Sequence, residues 1–240
     1  EKIQSPADLR ALDDDQLLEL CEEIREFLVD AVSRTGGHLG SNLGAVELTI
    51  AVHRIFESPR DAIVWDTGHQ AYVHKILTGR AAEFDTLRQR HGLSGYPNPA
   101  ESEHDLLENS HASASLSWAS GLATGFELTD HQHRRVVAII GDGSMTGGMA
   151  FEALNNLGHY GQRAVIILND NGRSYAPTVS RLATVMSRLR QSPNYLKGRQ
   201  AVTNILDRLP LGVEVKRGLS GAAAAMREMW EPPAFFETLG

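Results

Sequence analysis

The sequence predicts an α/β fold, a parallel sheet with helices on both faces, and three observations carry that expectation. Val136 to Ile140 (VVAII) and Val165 to Leu168 (VIIL) are unbroken apolar runs, the pattern of strands covered on both faces. Gly148 to Leu157 between them reads as a helix. Strand, helix, strand over this distance implies a right-handed parallel crossover. Finally, both runs close on small polar residues, Gly141-Asp142-Gly143 and Asn169-Asp170-Asn171, where loops of a parallel sheet gather ligands.

The remaining elements follow in chain order. Asp13 to Arg34 is an acidic amphipathic helix, with Leu17, Leu20, Ile24, Phe27, Leu28 and Val32 on one stripe and Gly36-Gly37 as its stop. A second helix is expected after an Asn42 cap, running through Val46, Leu48, Ile50, Val52 and Ile55 to Phe56. Ala62 to Trp65 is a short strand that delivers Asp66-Thr67-Gly68-His69, and His69 to Thr78 reads as helix. Residues 79 to 110 are loop-rich, with a Gly-Tyr-Pro-Asn-Pro turn at 95 to 99. From His111 to Leu128 small residues dominate, which suits a helix packed close to other backbone.

Composition narrows the class. At 240 residues the chain buries a substantial core and fits one large domain better than two. Its 42% hydrophobic and 22% charged residues are ordinary for a globular protein. A net charge of −7 disfavours a general nucleic-acid or anionic-membrane surface. No apolar run approaches the roughly 18 to 20 residues of a membrane span, and the N-terminal EKIQSPADLR has no signal-peptide character. With a single cysteine, Cys21, there is no internal disulfide, so a cytoplasmic protein is expected. Charge is uneven: from Arg181 to Arg217 there are eight Lys or Arg against two acids, a basic helical or mobile excursion after the second run.

The paired run ends admit two readings. Asp142-Gly143 and Asn171-Gly172 are strong hairpin-turn dipeptides when taken singly. Taken together they read differently, because hairpin strands alternate polar and apolar residues and these do not. A carboxylate, an amide oxygen and a backbone carbonyl at one rim are hard ligands of the kind Mg²⁺ takes, with places left for phosphate oxygens and water. The amides of Gly143 and Ser144, entering the next helix, suit the same phosphates. The stretch lacks the alternating acids and terminal Glu of a calcium loop.

Gly-Asp-Gly, 25 intervening residues and Asn-Asp-Asn is similar to the thiamine diphosphate fingerprint of the transketolase superfamily. Longer blocks narrow the likeness: TGGHLGSNLGAVELTIAVHRIF, DTGHQAYVHKILTGR, GLSGYPNPAESEHD and GMAFEALNN all resemble the 1-deoxy-D-xylulose 5-phosphate synthase family, and the resemblance runs to the final FFETLG. It implies a transketolase-like, thiamine-diphosphate-binding domain over residues 1–240. Asp142, the Asn171 side chain and the Arg173 carbonyl would hold Mg²⁺, and Gly143, Ser144 and Asn171 would touch the cofactor. Ser110-His111-Ala112 correspond in part to the family's Gly-His-Ser cofactor segment, with Ser for Gly and Ala for Ser. That preserves backbone contacts and changes the side chains on offer.

Three of the ten histidines stand apart by setting. His38 in GGHLG, His69 in TGHQ and His111 in NSHAS lie at loop-to-helix boundaries beside Gly or Ser, where backbone approaches a ligand closely; each also suits a helix cap. His53, His131, His133 and His159 sit in helix or surface contexts and are taken as structural. His69 and His74 are five residues apart, off the i, i+4 face that metal pairs use. The resemblance gives His38 and His69 proton handling at the reacting end of the cofactor, and His69 a cofactor contact. An imidazole with a pKa near neutrality both donates to a developing alkoxide and later takes a proton.

The family's reaction, by this likeness, decarboxylates pyruvate and transfers the two-carbon unit to D-glyceraldehyde 3-phosphate, feeding isoprene and thiamine synthesis. A homodimer is implied, joined through the small-residue helix at 111–128 and its neighbours, and so is a pyrimidine-binding domain in cis or trans that supplies a glutamate. Nothing in the chain resembles that domain, so it is expected to be a truncated synthase or one half of a split enzyme, inactive alone. Two rivals stand beside this reading: the N-terminal subunit of a split transketolase, which GHQAYVHKILTGR disfavours, and a non-catalytic module that keeps only the Mg²⁺-diphosphate site.

Overall fold

Three parallel strands, β1 (Ala62–Trp65), β2 (Val136–Gly141) and β3 (Ala164–Asn169), stand side by side in chain order. The computed structural model describes residues 3–108 and 110–170; Asn171, Arg173 and the basic stretch 181–217 lie outside the described residues. Ala62 pairs with Val136 and Val136 with Ala164, so the three strands begin in register and their carboxyl ends reach one rim.

Alternation along the strands divides the core between two faces. Ile63, Trp65, Val137 and Ile139 pack with Val52 and Ala71 on one of them, joined by Leu48, Phe56 and Ile167. Helix α3 (Val46–Ile55) covers that side. Val64 and Ala138, pointing the other way, are equally buried, and α5 (Ser115–Glu127) lies across all three strands. Its inward residues Ser115, Ala119 and Ala123 are small, which lets helix and sheet backbones approach closely. Helix α6 (Gly148–Tyr160) packs on α5 and completes the crossover from β2 to β3. β3 departs from the expectation of strands covered on both faces, since Val165 is 42% exposed. Among the described residues β3 is the edge of the sheet, with β2 as its neighbour.

A second core joins the N-terminal helices. Asp13 caps α1 (Asp14–Thr35): its carboxylate accepts from Gln16 N at 2.9 Å while Gln16 Oε1 accepts from Asp13 N at 3.0 Å, a reciprocal capping box. Gly36 ends the helix with φ +75°, a conformation that favours glycine. Cys21, Ile24, Leu28, Ala31 and Val32 of α1 meet Val46 and Ile50 of α3, Tyr72 and Val73 of α4 (Tyr72–Lys75), Ile76 and Leu77 just after it, and Phe84, Leu87 and Leu93 further on. Each fully buried side chain of this kind contributes roughly 1.5–3 kcal/mol.

Three boundaries differ from the sequence expectation. A short helix, α2 (Leu39–Leu43), precedes α3, and Asn42 lies inside it instead of capping α3. Helix α4 starts at Tyr72, not His69, because Thr67 and Gly68 take left-handed backbone (φ +57° and +80°) in a tight turn closed by Gly68 N to Asp66 O at 2.6 Å. The chain continues helically from Tyr72–Lys75 through Ile76 and Leu77, breaking at Gly79 (φ +87°). Helix α5 starts at Ser115, four residues after His111.

The loop-rich 94–105 segment is held by a buried polar cluster. The Asp105 carboxylate accepts from Arg80 at 2.6 and 3.0 Å, from Asn98 N at 2.7 Å, and from His74 Nε2 at 2.8 Å. Burial pushes the His74 imidazole below the ordinary histidine value despite Asp105, so His74 is neutral with its proton on Nε2. Its Nδ1 is therefore an acceptor, and His53 Nε2–H donates to it at 2.8 Å. Lys75 pairs with Glu101, whose other oxygen accepts from Ser94 N at 2.6 Å. Two sequence blocks, 74–80 and 94–105, are thereby locked together.

Candidate functional site

The strand ends open into a cleft of about 560 Å³ lined by His38, Gly40, Ser41, Gly44, Asp66, Thr67, His69, Gln70, Tyr96, Ala112, Gly141, Asp142, Gly143, Ser144 and Asn169. Its floor is built from the carboxyl ends of all three strands.

The β1 end supplies the anchor. Asp66 is buried, and its carboxylate accepts from Ser113 N at 2.9 Å through one oxygen and from Ser115 N at 3.0 Å through the other. An anion at the N-terminus of α5 is favoured by the exposed amides and by the helix dipole. Ser113, held at φ +71°, donates its hydroxyl to Ser144 O at 2.6 Å. The β1 end, the segment before α5 and the turn after β2 are thus one connected unit. A Cβ at Gly147 would meet Ser113 Oγ at 2.1 Å, so glycine there permits the contact. Replacing Asp66 by Ala strands two buried amides and is expected to cost about 2–3 kcal/mol in urea unfolding, with Asp66→Asn losing less; an unchanged midpoint for Asp66→Ala would contradict this account.

At the β2 end, Asp142 and Gly143 follow the strand, and a single turn, Ser144–Thr146, precedes α6. Asp142 N donates to Asn169 O at 3.4 Å, and Asn169 Nδ2 reaches Gln70 Oε1 at 3.3 Å, which ties β3 to the loop after β1.

His38 and His69 face each other across the cleft wall, ring centroids 5.2 Å apart in an edge-to-face arrangement. Burial, and then the neighbouring His38, push the His69 imidazole below the ordinary histidine value, against the pull of Asp66. Burial and then Arg88 lower His38. Both rings are neutral near pH 7. Among the described residues His69 Nδ1 is buried with no hydrogen-bond partner, in the wall of a cleft it helps to line. Such an orphan is a place for a ligand atom.

A sequence model described as 1-deoxy-D-xylulose-5-phosphate synthase matches residues 1–240, the whole chain. The chain belongs to that family. It is 54% identical over 239 residues, 99% of the chain, to the 1-deoxy-D-xylulose-5-phosphate synthase of Parafrankia sp. (strain EAN1pec), covering 37% of that protein. It is 55% identical over 242 residues to that of Saccharopolyspora erythraea and 56% over 241 residues to that of Rhodococcus erythropolis, covering 38% and 37% of those proteins. The chain thus spans about 37% of the length of these curated relatives.

In this synthase-family chain the sequence-selected residues fall into three groups. His38, His69, Ala112, Asp142, Gly143 and Ser144 come together around one cleft although they are drawn from four sequence blocks. Ser110 and His111 are exposed beside Ala112 and are not among the lining residues. Asn171 and Arg173 lie outside the described residues. No helix among the described residues is long and apolar enough to cross a membrane.

Sequence reasoning missed Asp66, Ser113 and Asn42. Asp66 carried a signal, since it closes a strand as Asp142 does. Ser113 had none, because a run of small residues does not mark which of them turns left-handed. Asn42 was taken for a local cap, whereas its partners are 4, 27 and 30 residues away.

Proposed function

We propose that the cleft is the Mg²⁺ and thiamine diphosphate site of a 1-deoxy-D-xylulose 5-phosphate synthase, which decarboxylates pyruvate and transfers the two-carbon unit to D-glyceraldehyde 3-phosphate. The observation that carries the reading is the convergence of Asp142, Gly143 and Ser144 with His38 and His69 on one cleft at the carboxyl rim of a parallel sheet. The residues present fit the cofactor: His69 Nδ1 is a buried polar atom without a partner among the described residues, a Cβ at Gly40 would meet open space, and Asp142 supplies a hard anionic donor. Asp142, with the Asn171 side chain and the Arg173 carbonyl, would hold Mg²⁺. Gly143, Ser144, Asn171 and His69 would meet the cofactor, with the backbone of Ser110, His111 and Ala112 beside it.

Bound thiamine diphosphate supplies the electron sink for decarboxylation and carbon–carbon bond formation. The chain's own contribution is position and proton transfer. Two neutral imidazoles at one wall donate to oxygens that gain negative charge and take the proton back when those oxygens become carbonyls again. The low polarity that keeps His38 and His69 uncharged also strengthens such hydrogen bonds. The pyrimidine side of the cofactor comes from a domain outside these 240 residues. The working assembly is a homodimer in the cytoplasm.

The test is to incubate the full-length protein with Mg²⁺, thiamine diphosphate, pyruvate and D-glyceraldehyde 3-phosphate and to follow carbon dioxide and the five-carbon product. Failure to form that product, or to complement an isoprenoid-pathway defect, would refute the assignment. Within that assay, His38→Ala and His69→Ala are each expected to lower turnover by about 10² to 10⁴-fold while leaving stability within about 1 kcal/mol. A large loss of stability with little loss of turnover would return that histidine to a packing role.

A further inference from the structure

Helix α2 buries a carboxamide between the two histidine loops. The Asn42 side chain is fully buried. Its Nδ2 donates to His38 O at 2.6 Å and to His69 O at 2.8 Å, and its Oδ1 accepts from Tyr72 N at 2.8 Å. Both amide protons are used, each on the carbonyl of a histidine whose ring lines the cleft. We propose that Asn42 is a positioning residue that sets the mutual placement of the His38 and His69 imidazoles. The proposal rests on the reading of that cleft as the reaction site.

The chemistry admits few substitutes. Two carbonyls and one amide N–H converge on this point, so the side chain must present two donors and one acceptor from a single planar group, which among side chains of this length only the carboxamide does. An aspartate would set its oxygens against two carbonyls. A serine reaches one partner, and an alanine leaves the two carbonyls and the Tyr72 amide unpaired in a buried site. The orientation of the amide is fixed by its partners, since a flipped group would face carbonyls with oxygen.

Beside the Asn42 bridge there is one longer link between the two segments, through the Tyr72 hydroxyl, and it does not touch the His69 carbonyl. On the His38 side, His38 N donates to the Tyr72 hydroxyl at 3.3 Å, and a Cβ at Gly37 (φ +140°) would stand 2.7 Å from that hydroxyl. On the His69 side, the turn at 66–68 is closed by Gly68 N to Asp66 O and tied through the Asp66 carboxylate to Ser113 and Ser115, on the side of α5. His38 sits at the start of α2 and His69 before α4, so their carbonyls belong to separate elements, and one side chain spans both. A displacement of about 1 Å between groups that share a proton-transfer task costs up to about 10²-fold in rate.

The test uses Asn42→Ala and the milder Asn42→Ser, alone and combined with His69→Ala. In the unliganded protein, a nuclear Overhauser contact between the His38 and His69 ring protons is expected, and it is expected to weaken in Asn42→Ser and vanish in Asn42→Ala. In the full-length protein, Asn42→Ala is expected to lower kcat by about 10- to 100-fold with KM for pyruvate changed less than about threefold, and to add nothing to the loss already caused by His69→Ala. An intact ring contact in Asn42→Ala overturns the proposal, as do additive losses, which mark a general weakening of the fold. Should Asn42→Ala not fold, the same two readouts on Asn42→Ser decide. A lost ring contact together with undiminished turnover in both His38→Ala and His69→Ala would instead reject the catalytic reading of the histidines and leave the geometric role standing.

Discussion

Asp142→Ala is expected to abolish Mg²⁺-dependent binding of thiamine diphosphate, read by titration calorimetry with and without the metal. The effect should be large because of the donor set. Among the three groups assigned to the metal, the Asp142 carboxylate is the one anion; the others are an amide oxygen and a peptide carbonyl. A divalent ion that bridges to a diphosphate needs its charge balanced on the protein side, and neutral oxygens hold Mg²⁺ poorly against its hydration shell. Asp142→Asn keeps the shape and loses the charge, so it should fall close to the alanine variant. Undiminished affinity in Asp142→Ala would remove the metal from this rim, while leaving the fold and the histidine pair as described.

The largest loss of stability is expected from Asp105→Ala. Burial by itself pushes the Asp105 carboxyl up, but hydrogen bonds from His74 and then Arg80 outweigh it and hold the group well below the usual carboxylate range. Removing it leaves the buried Arg80 guanidinium (side chain 4% exposed) with the Thr78 hydroxyl at 2.8 Å and, as its one carboxylate among the described residues, Glu101 at 3.5 Å, a loss of about 3–5 kcal/mol for breaking such a buried pair. The same cluster predicts the acid response. His53 and His74 have pKa values below the ordinary histidine value, burial being the first cause in both, so the unfolded chain binds more protons than the folded one as pH drops below about 6.5. Asp105, also lowered, adds its own loss below about 3.9, the unfolded aspartate value. Both contributions are present near neutrality and disappear as pH falls. Urea midpoints should decline from about pH 6.5 downward, and less steeply in His53→Gln. A midpoint that rises on acidification between pH 6.5 and 4 would reverse the sign and refute the assignment of neutral histidines.

The sheet was legible in the sequence because its signal is local. The apolar runs at 136–140 and 165–168, and the Gly, Asp and Asn residues that end them, are written in consecutive residues, and the parallel crossover follows from the helix between. Helix α1 was equally legible, since Asp13, Gln16 and Gly36 are local caps. The site was legible only where a residue advertises itself beside glycine, as His38, His69 and Asp142 do. What could not be read was pairing at long range. Nothing next to Asn42 or Asp66 in the sequence shows that one bridges two histidine carbonyls or that the other receives the amides of Ser113 and Ser115, 47 and 49 residues on. The buried chain from His53 through His74 to Asp105 was hidden for the same reason, and each histidine in it looked unremarkable alone.

The contact between Ser113 and Gly147 has a bearing on how such chains diverge. With only 2.1 Å between Ser113 Oγ, and 2.7 Å between Ser113 Cβ, and the point where a Cβ at 147 would stand, position 147 does not accept a side chain while Ser113 stays as it is. A side chain at 147 becomes tolerable only after residue 113 has lost its own, since Ser113 Cβ too would stand 2.7 Å away, and that loss surrenders the hydrogen bond to Ser144 O. The order of substitution is therefore constrained: residue 113 has to change first, through an intermediate in which the turn after β2 is held less firmly. The two loops are 34 residues apart in the chain, yet they should drift as a pair.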